Sequence, residues 1–346
     1  MRRHLAFNRP TDFLRRRDFS QKMEATFDFI RAHATPLVRV LVVLVLPLAL
    51  LTGIGTSLLQ GQMLSSFRDM QAISRGGSVT RQSVPGMPEV FTSSTFWLTI
   101  LSGMLLFAVM HLVIFGYVVL QADRTTNEPV TAGEVWQVVK ARFLGMVGSF
   151  FGLGLLFTAG MMVIGGVLFA IGGVLASAST PWVIFPFVLL LYVAMFYAIV
   201  PLSLYFIVWL REGRGFFGSL TRSFRLTWGK WWSTFGLLVV ITLIMYLILI
   251  LSMVVLSAFG LPFAGLMSGE LETGSMRVLL IVYSALQSLI TLVYYPFILV
   301  AISFQYFNLV ERLDGTGTRL LVEAIGEPVL AAASPQALRP DDEGEY

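Results

Sequence analysis

The chain has 346 residues, of which 56% are hydrophobic and only 13% are charged. Soluble domains carry about 25% charged residues, so this composition indicates an integral membrane protein rather than a soluble enzyme. There is no cysteine, which excludes disulfides, thiolate catalysis and cysteine-ligated metals. His4, His33 and His111 are far apart in the sequence, so no multi-histidine metal site and no cofactor are expected.

Residues 1–36 are predicted to form a basic cytoplasmic segment that contains one amphipathic helix. Asp18 and Gln21 have the spacing of a capping box, and an apolar stripe follows over residues 19–34. Pro36 is predicted to end this helix. The lead before the first apolar run is too long and too charged for a cleavable signal peptide.

Six apolar stretches follow, each long enough to cross a hydrocarbon core of about 30 Å. They lie at about 37–59, 96–120, 146–176, 182–210, 231–260 and 277–309. The fold class expected is an all-α, polytopic membrane helical bundle, with one membrane domain over residues 37–310. Residues 60–94 are predicted to be an exposed loop. Residues 311–346 are predicted to be a largely disordered cytoplasmic tail.

The segment 214–236 predicts a helix that lies flat on the membrane and then turns into the bilayer. Five apolar side chains fall on one arc at 100° per residue. They are Phe216, Phe217, Leu220, Phe224 and Trp228. Gly229 then interrupts the pattern.

Residues 131–147 match the interfacial segment without a gap at an offset of 81 residues, and Gly148 then falls on Gly229. Residues 19–34 fit the pattern more loosely. We therefore predict a repeat of three units, each an interfacial helix followed by two spans. The alternative is that any interfacial helix before a span has this pattern.

The distribution of basic residues predicts the topology. Of the 24 Lys and Arg residues, 20 lie in the N-terminal stretch up to Arg39, in the C-terminal segment and in the connections after the second and fourth spans. By the positive-inside rule these parts are cytoplasmic, so both termini lie inside. The expected location is the inner membrane of a bacterium.

Several basic residues lie beside aromatic residues at the predicted inner interface. They are Lys140, Arg142, Arg222, Arg225 and Lys230. Anionic lipid headgroups attract such residues by about 1 kcal/mol each. The alternative is that these charges only fix the topology, and both explanations can hold together.

Within the spans, His111 is the one ionisable side chain that lies clearly inside the predicted apolar core, which makes it a functional candidate. No acidic or basic partner occurs in any span, so we favour a structural role, as a neutral imidazole bonded to a neighbouring helix. Tyr283, Gln287 and Tyr294 share one helical face. That face either bonds to another helix, which we favour, or lines a polar cavity.

Proline and glycine residues also mark the spans. Pro47, Pro201 and Pro296 lie inside spans, where proline removes a backbone hydrogen bond and can kink a helix. Gly148 and Gly152 have the spacing of a close helix-packing motif. We predict packing rather than a pore for these glycines.

No phosphate-binding loop, zinc-binding His-Glu-x-x-His or nucleophile elbow occurs in the sequence. The leading hypothesis is a non-enzymatic membrane module, a scaffold or partner for other membrane or cytoplasmic proteins, with no nucleic acid bound. The alternative is a permease or channel for a small neutral or amphiphilic solute, and a lipid-modifying enzyme is third. A polar central cavity would favour transport, and a packed, dry core would favour the scaffold.

Two motifs resemble a known bacterial family. The sequence SLTRSFRLTWGKWW at 219–232 and the sequence FQYFNLVER at 304–312 are similar to the membrane domain related to glycerophosphoryl diester phosphodiesterase. The family more often has Asp where Asn308 stands. The resemblance covers about residues 95–325 and implies a six-helix inner-membrane module. The family's phosphodiesterase activity belongs to a separate soluble barrel, so no catalytic residue carries over.

The topology can be tested with single cysteines, since the chain has none. Cysteines at Ser78 and Ser268 should react with a membrane-impermeant thiol reagent added outside intact cells. A cysteine at Ser219 should not react. Labelling of the variant at Ser219 from outside would contradict the predicted orientation.

Overall fold

The computed structural model describes residues 7, 9–74, 87–124, 128–176, 184–258 and 274–326. Every regular element in these ranges is a helix, which confirms the predicted all-α class. The helices are α1 Pro10–Phe13, α2 Phe19–Ala32, α3 Ala34–Leu44, α4 Leu46–Ser74, α5 Met87–Thr92, α6 Ser94–Ala122, α7 Ala132–Ala176, α8 Ile184–Ser203, α9 Tyr205–Glu212, α10 Phe216–Thr227, α11 Trp231–Ala258, α12 Gly274–Asp314 and α13 Thr316–Gly326.

Five parts of the described chain are helices long and apolar enough to cross a membrane. They are Ser94–Ala122, Ala132–Val167, Val188–Glu212, Trp231–Ser257 and Ile281–Asp314. The helices α3 and α4 pass the same test together as one bent span, which gives up to six. Large apolar side chains on α7, α8 and α11 face outward, as lipid-covered surfaces require. The protein is therefore a multi-span helical membrane bundle.

Two of the three intramembrane prolines lie next to a helix break. The axes of α3 and α4 differ by 56° at Val45, two residues before Pro47. Pro47 has no N–H, and its ring crowds the carbonyl four residues earlier, which disfavours a straight continuation of α3 into α4. Pro201 comes shortly before the break between α8 and α9, at Leu204. In contrast, α12 runs through Pro296 without interruption.

Several predicted boundaries differ from the structure. Residues 60–74 continue α4 and are not a loop. The helix α7 runs without a break through Gly148, whereas Gly229 takes a left-handed conformation with φ 70° and separates α10 from α11. A glycine inside a helix costs about 1 kcal/mol but does not force a turn. The matched glycines of the predicted repeat therefore have different conformations.

A cluster of buried aromatic rings lies at the end of the bundle where the N-terminal segment meets the C-terminal part of α12. We call this the terminal end. The rings of Phe7, Phe13 and Phe304 are fully buried there, with centroids 5.3–5.9 Å apart. Phe29 and Phe307 complete the cluster. The basic N-terminal segment is therefore packed into the bundle, because its phenylalanines supply part of the core.

Polar side chains of α12 bind the terminal segments around this aromatic cluster. The Asn308 Oδ1 atom accepts hydrogen bonds from the Arg17 backbone N–H at 2.8 Å and from Arg312 Nε at 3.2 Å. Glu311, only 2% exposed, accepts from the backbone N–H and the hydroxyl of Thr318, at 3.1 and 2.6 Å. Its carboxylate thus caps the first turn of α13, where a negative charge is favourable.

A buried lysine joins α2 to the same part of α12. Lys22 is 1% exposed, and its Nζ donates to Gln305 Oε1 at 2.8 Å and to Ser233 Oγ at 3.0 Å. The pKa of Lys22 is lowered to about 8, mainly by burial and also by the nearby positive charge of Arg312, while Asp18 acts in the opposite direction.

This burial predicts an unusual pH dependence of stability. Between pH 8 and 10.5 the Lys22 side chain carries a proton in the unfolded chain but loses it in the folded protein. The contribution of Lys22 to the free energy of unfolding should therefore become more favourable to the folded state as the pH rises through that window. The Lys22→Met variant should lack this rise. Thermal unfolding in detergent across the window measures it, with Lys140→Met, at an exposed position, as the matched control. Parallel pH curves for wild type and Lys22→Met would contradict the prediction.

Candidate functional site

A cavity of about 600 Å³ lies between α4, α6, α11 and α12, in the half of the bundle away from the terminal end. Its wall is mainly apolar but contains several hydroxyl and amide groups. The lining residues are Ala49, Thr52, Gly53, Thr56, Gln60, Met63, Leu106, Met110, Met253, Tyr283, Ser284, Gln287, Ser288, Thr291 and Leu292. None of these residues is ionisable near neutral pH, so the cavity suits a neutral polar or amphiphilic molecule.

The hydroxyl groups of the lining are held by their own helices. Thr52 and Thr56 on α4 and Ser288 and Thr291 on α12 each donate to the backbone carbonyl four residues earlier, at 2.7–3.0 Å. This local bond fixes each side chain and uses its one proton. The oxygen lone pairs remain, so these groups can accept hydrogen bonds from a molecule in the cavity.

One polar atom of a lining residue has no hydrogen-bond partner in the described part of the chain. Gln287 Oε1 is buried and accepts no hydrogen bond there. A buried amide oxygen without a donor costs about 1–3 kcal/mol. Because this oxygen is buried, a donor in the cavity would reach it only if the Gln287 side chain turned toward the cavity.

Glycines of α4 set the distance between the cavity walls. A Cβ atom on Gly53 would lie 2.9 Å from the Ser284 carbonyl and would also contact Ser288 Oγ, so only glycine allows α4 and α12 to approach this closely. A Cβ atom on Gly55 would lie 2.8 Å from Thr99 Oγ1 of α6. The cavity is thus framed by close backbone contacts, which fix its shape.

The structure separates the three polar residues that were grouped on α12. Tyr283 and Gln287 line the cavity, so the favoured prediction of a helix-to-helix hydrogen bond is wrong for Gln287. Tyr294 packs instead against Ile241 and Met245 of α11. The three residues do share a face, but α11 covers only the part of that face nearer to the terminal end.

The α4 side of the cavity was not predicted, although a signal was present. Thr52, Thr56 and Gln60 recur every four residues, so they form a polar stripe on an otherwise apolar span. Single hydroxyl residues are common in membrane helices. A stripe of three with a facing Gln287 is a stronger indication of a polar cavity.

His111 lies beside the cavity and not in its lining. Its Nδ1 is 2.8 Å from the carbonyl oxygen of Phe107 in its own helix, which corrects the prediction of a bond to a neighbouring helix. Its ring packs against aromatic rings from three helices, with centroids 3.9 Å from Phe107, 5.4 Å from Phe206 and 5.7 Å from Tyr295. The imidazole is thus part of an aromatic cluster.

The predicted interfacial cations divide into two groups. Arg222 has a side chain only 6% exposed, and it forms ion pairs with Glu212, at 3.1 Å, and with Asp314. It therefore faces the bundle, and the prediction that it meets lipid headgroups is corrected for this residue. The other four side chains are exposed: Lys140, Arg142, Arg225 and Lys230.

The helix α10 has its small hydroxyl residues toward the bundle and aromatic residues outward. Ser219, Ser223 and Thr227 are buried, whereas Phe217 is 69% and Trp228 80% exposed. The apolar arc is therefore directed toward the lipid and the rim of the bundle. Since Ser219 is buried, a cysteine there would be shielded on either side, and the exposed Thr221 is the better inner-face position for labelling.

Comparisons with protein-family models, with curated proteins and with solved structures give no significant match for this chain. The resemblance to the phosphodiesterase-related membrane domain stays a prediction.

The environment of His111 predicts which substitutions are tolerated. His111→Phe should keep the ring packing and change the free energy of unfolding by less than about 1 kcal/mol, because polar contacts in membrane bundles average about 0.6 kcal/mol. His111→Ala should cost about 3 kcal/mol, because it leaves a cavity. Unfolding of both variants in detergent measures the difference. Equal losses would show that the imidazole polarity, and not the ring, is required.

Proposed function

We propose that this protein binds a small neutral or amphiphilic solute inside the membrane, as a permease or channel does, and that it performs no catalysis. The observation that carries the proposal is the cavity with the hydroxyl and amide groups of its uncharged wall. The apolar part of the wall would hold an alkyl portion, and the hydroxyl and amide groups would bind polar groups. The absence of charge from this wall favours a neutral solute.

The proposal includes a location and an orientation. We place the protein in the inner membrane of a bacterium with the terminal end in the cytoplasm, supported by the 20 of 24 basic residues on that side. The cavity then lies in the outer half of the bundle. The apolar side chains of Met110 and Leu292 at its inner limit are buried, so passage would require the helices to part there.

A scaffold for partner proteins is the second candidate. The observation that favours it is the packed terminal end, where aromatic rings and buried polar pairs leave a rigid surface made from both ends of the described chain. In a scaffold, the cavity would be filled by lipid and would not admit a solute. Solute access to the cavity distinguishes the two functions.

Two serines of α12 provide a matched test of solute access. Ser288 lines the cavity, whereas Ser303 is fully buried in the packed half, and each donates to the carbonyl four residues earlier at 2.8 Å. In proteoliposomes, Ser288→Cys should react with a small water-soluble methanethiosulfonate reagent. Ser303→Cys should not react under the same conditions.

The same proteoliposomes test passage. Glycerol influx, followed by stopped-flow light scattering, should be faster with the protein than in empty vesicles, and modification of Ser288→Cys should slow it. The treated Ser303→Cys protein should keep the wild-type rate. An unreactive Ser288→Cys, or influx equal to that of empty vesicles, would contradict the permease and favour the scaffold.

A further inference from the structure

A second concave surface lies on α7, α9 and α10, three helices that do not line the proposed solute cavity. An apolar groove of about 680 Å³ follows α7 from Gly145 to Ala159. Its other wall is formed by Trp209 of α9 and by Phe216 and Phe217 of α10. Gly145 and Ala159 are fourteen residues apart, which corresponds to about 21 Å along the axis of α7. One leaflet of the hydrocarbon core is about 15 Å thick, so the groove has the length of a lipid chain.

Glycines of α7 define the shape of this groove. A Cβ atom on Gly145 would lie 2.6 Å from Trp209, and one on Gly152 would lie 2.7 Å from Phe216, so both glycines are packing positions. A Cβ atom on Gly148, between them, would meet nothing within 4 Å. The packing prediction is therefore right for Gly152 and wrong for Gly148, which faces open space.

The groove begins beside a basic pocket. A space of about 330 Å³ on α10 is lined by Arg214, Phe217, Gly218, Thr221, Arg222 and Arg225, and Phe217 also lines the groove. On the other rim, the guanidinium of Arg142 lies 5.8 Å from the ring centre of Trp209. Cationic groups therefore stand on both sides of the mouth of an apolar groove.

The charge at this mouth is not neutralised within the described residues. Arg214 and Arg222 share Glu212, and Arg222 also pairs with Asp314. Arg225 and Arg142 are exposed and form no ion pair with the described part of the chain. The pocket thus has an excess of positive charge, and it lies where α7 and α10 reach the terminal end.

We propose that this groove and pocket together bind one anionic phospholipid, with its phosphate between Arg225 and Arg142 and one acyl chain along Gly148. Arg222 supports the site from behind, because its ion pairs hold α10 against α12. A free phosphate would meet the same cations but would leave the apolar groove empty. The lipid satisfies both parts of the surface, and the site is independent of the proposed solute cavity.

Two variants test the two parts of the site. Arg225→Gln removes a headgroup contact, and Gly148→Leu places a side chain in the groove, at a position where a Cβ atom meets nothing within 4 Å. The matched controls are Lys230→Gln, an exposed charge outside the pocket, and Gly154→Leu, a glycine of α7 that also has open space but lies outside the groove. Each full-length protein, in mild detergent, is titrated with phosphatidylglycerol, phosphatidylcholine or inorganic phosphate while its Tm is recorded.

Phosphatidylglycerol should raise the Tm of the wild-type protein more than phosphatidylcholine does, and phosphate alone should give little change. Arg225→Gln should need about fivefold more phosphatidylglycerol for half of the effect, the weakening expected from the loss of one basic contact. Gly148→Leu should also need more phosphatidylglycerol, because its side chain occupies the space of the acyl chain. The controls should match wild type. No preference for phosphatidylglycerol, an equal effect of phosphate, or the same loss in the controls would overturn the proposal. If Arg225→Gln does not fold, Gly148→Leu with its control decides the result.

Discussion

The burial of polar groups at the C-terminal part of α12 fixes the arrangement of the rest of the protein. Gln305, Asn308 and Glu311 point in different directions, and each one binds a different segment of the chain. An unpartnered group at any of these positions would cost about 1–3 kcal/mol. The N-terminal segment, α2, α11 and α13 must therefore all meet α12 in one register, and Tyr306 adds α9 through its 3.1 Å bond to Glu212.

The polar contacts of α12 lie at one end of the bundle, so the bundle has two parts that differ in packing. At the terminal end, aromatic packing and polar pairs leave little free volume, as the fully buried Phe304 and Phe307 show. In the other half, α4 and α12 touch at Gly53 and then leave the cavity beside them. Regions with fewer buried contacts open at lower free energy. A helix movement that admits a solute is therefore expected at the cavity and not at the terminal end.

The sequence was sufficient for features that depend on local chemistry. Hydropathy located the spans because removal of a polar backbone from water requires long apolar helices, and Pro47 marked a bend because its ring acts on its own helix. The sequence was not sufficient for features that depend on how each helix is rotated and where it crosses its neighbours. The distinction between Gln287 at the cavity and Tyr294 against α11 depends on which neighbour covers each part of one face. Gly148 and Gly229 are likewise identical residues, and the packing around each one determines whether the helix continues or ends there.

The sequence of α10 contains a second pattern, which indicates the face that packs against the bundle. The apolar arc led to the prediction of an interfacial helix, but the four-residue recurrence of Ser219, Ser223 and Thr227 is a small-residue stripe that permits close helix packing. Their hydroxyls donate to backbone carbonyls of α10 and, for Ser219, of Arg214 just before it, so they present a compact face to the bundle. Arg222 lies at the edge of that face and is drawn into ion pairs, whereas Arg225, 60° further round, stays outside. One turn of helix thus separates an arginine that holds the fold from one that is free to bind an anion.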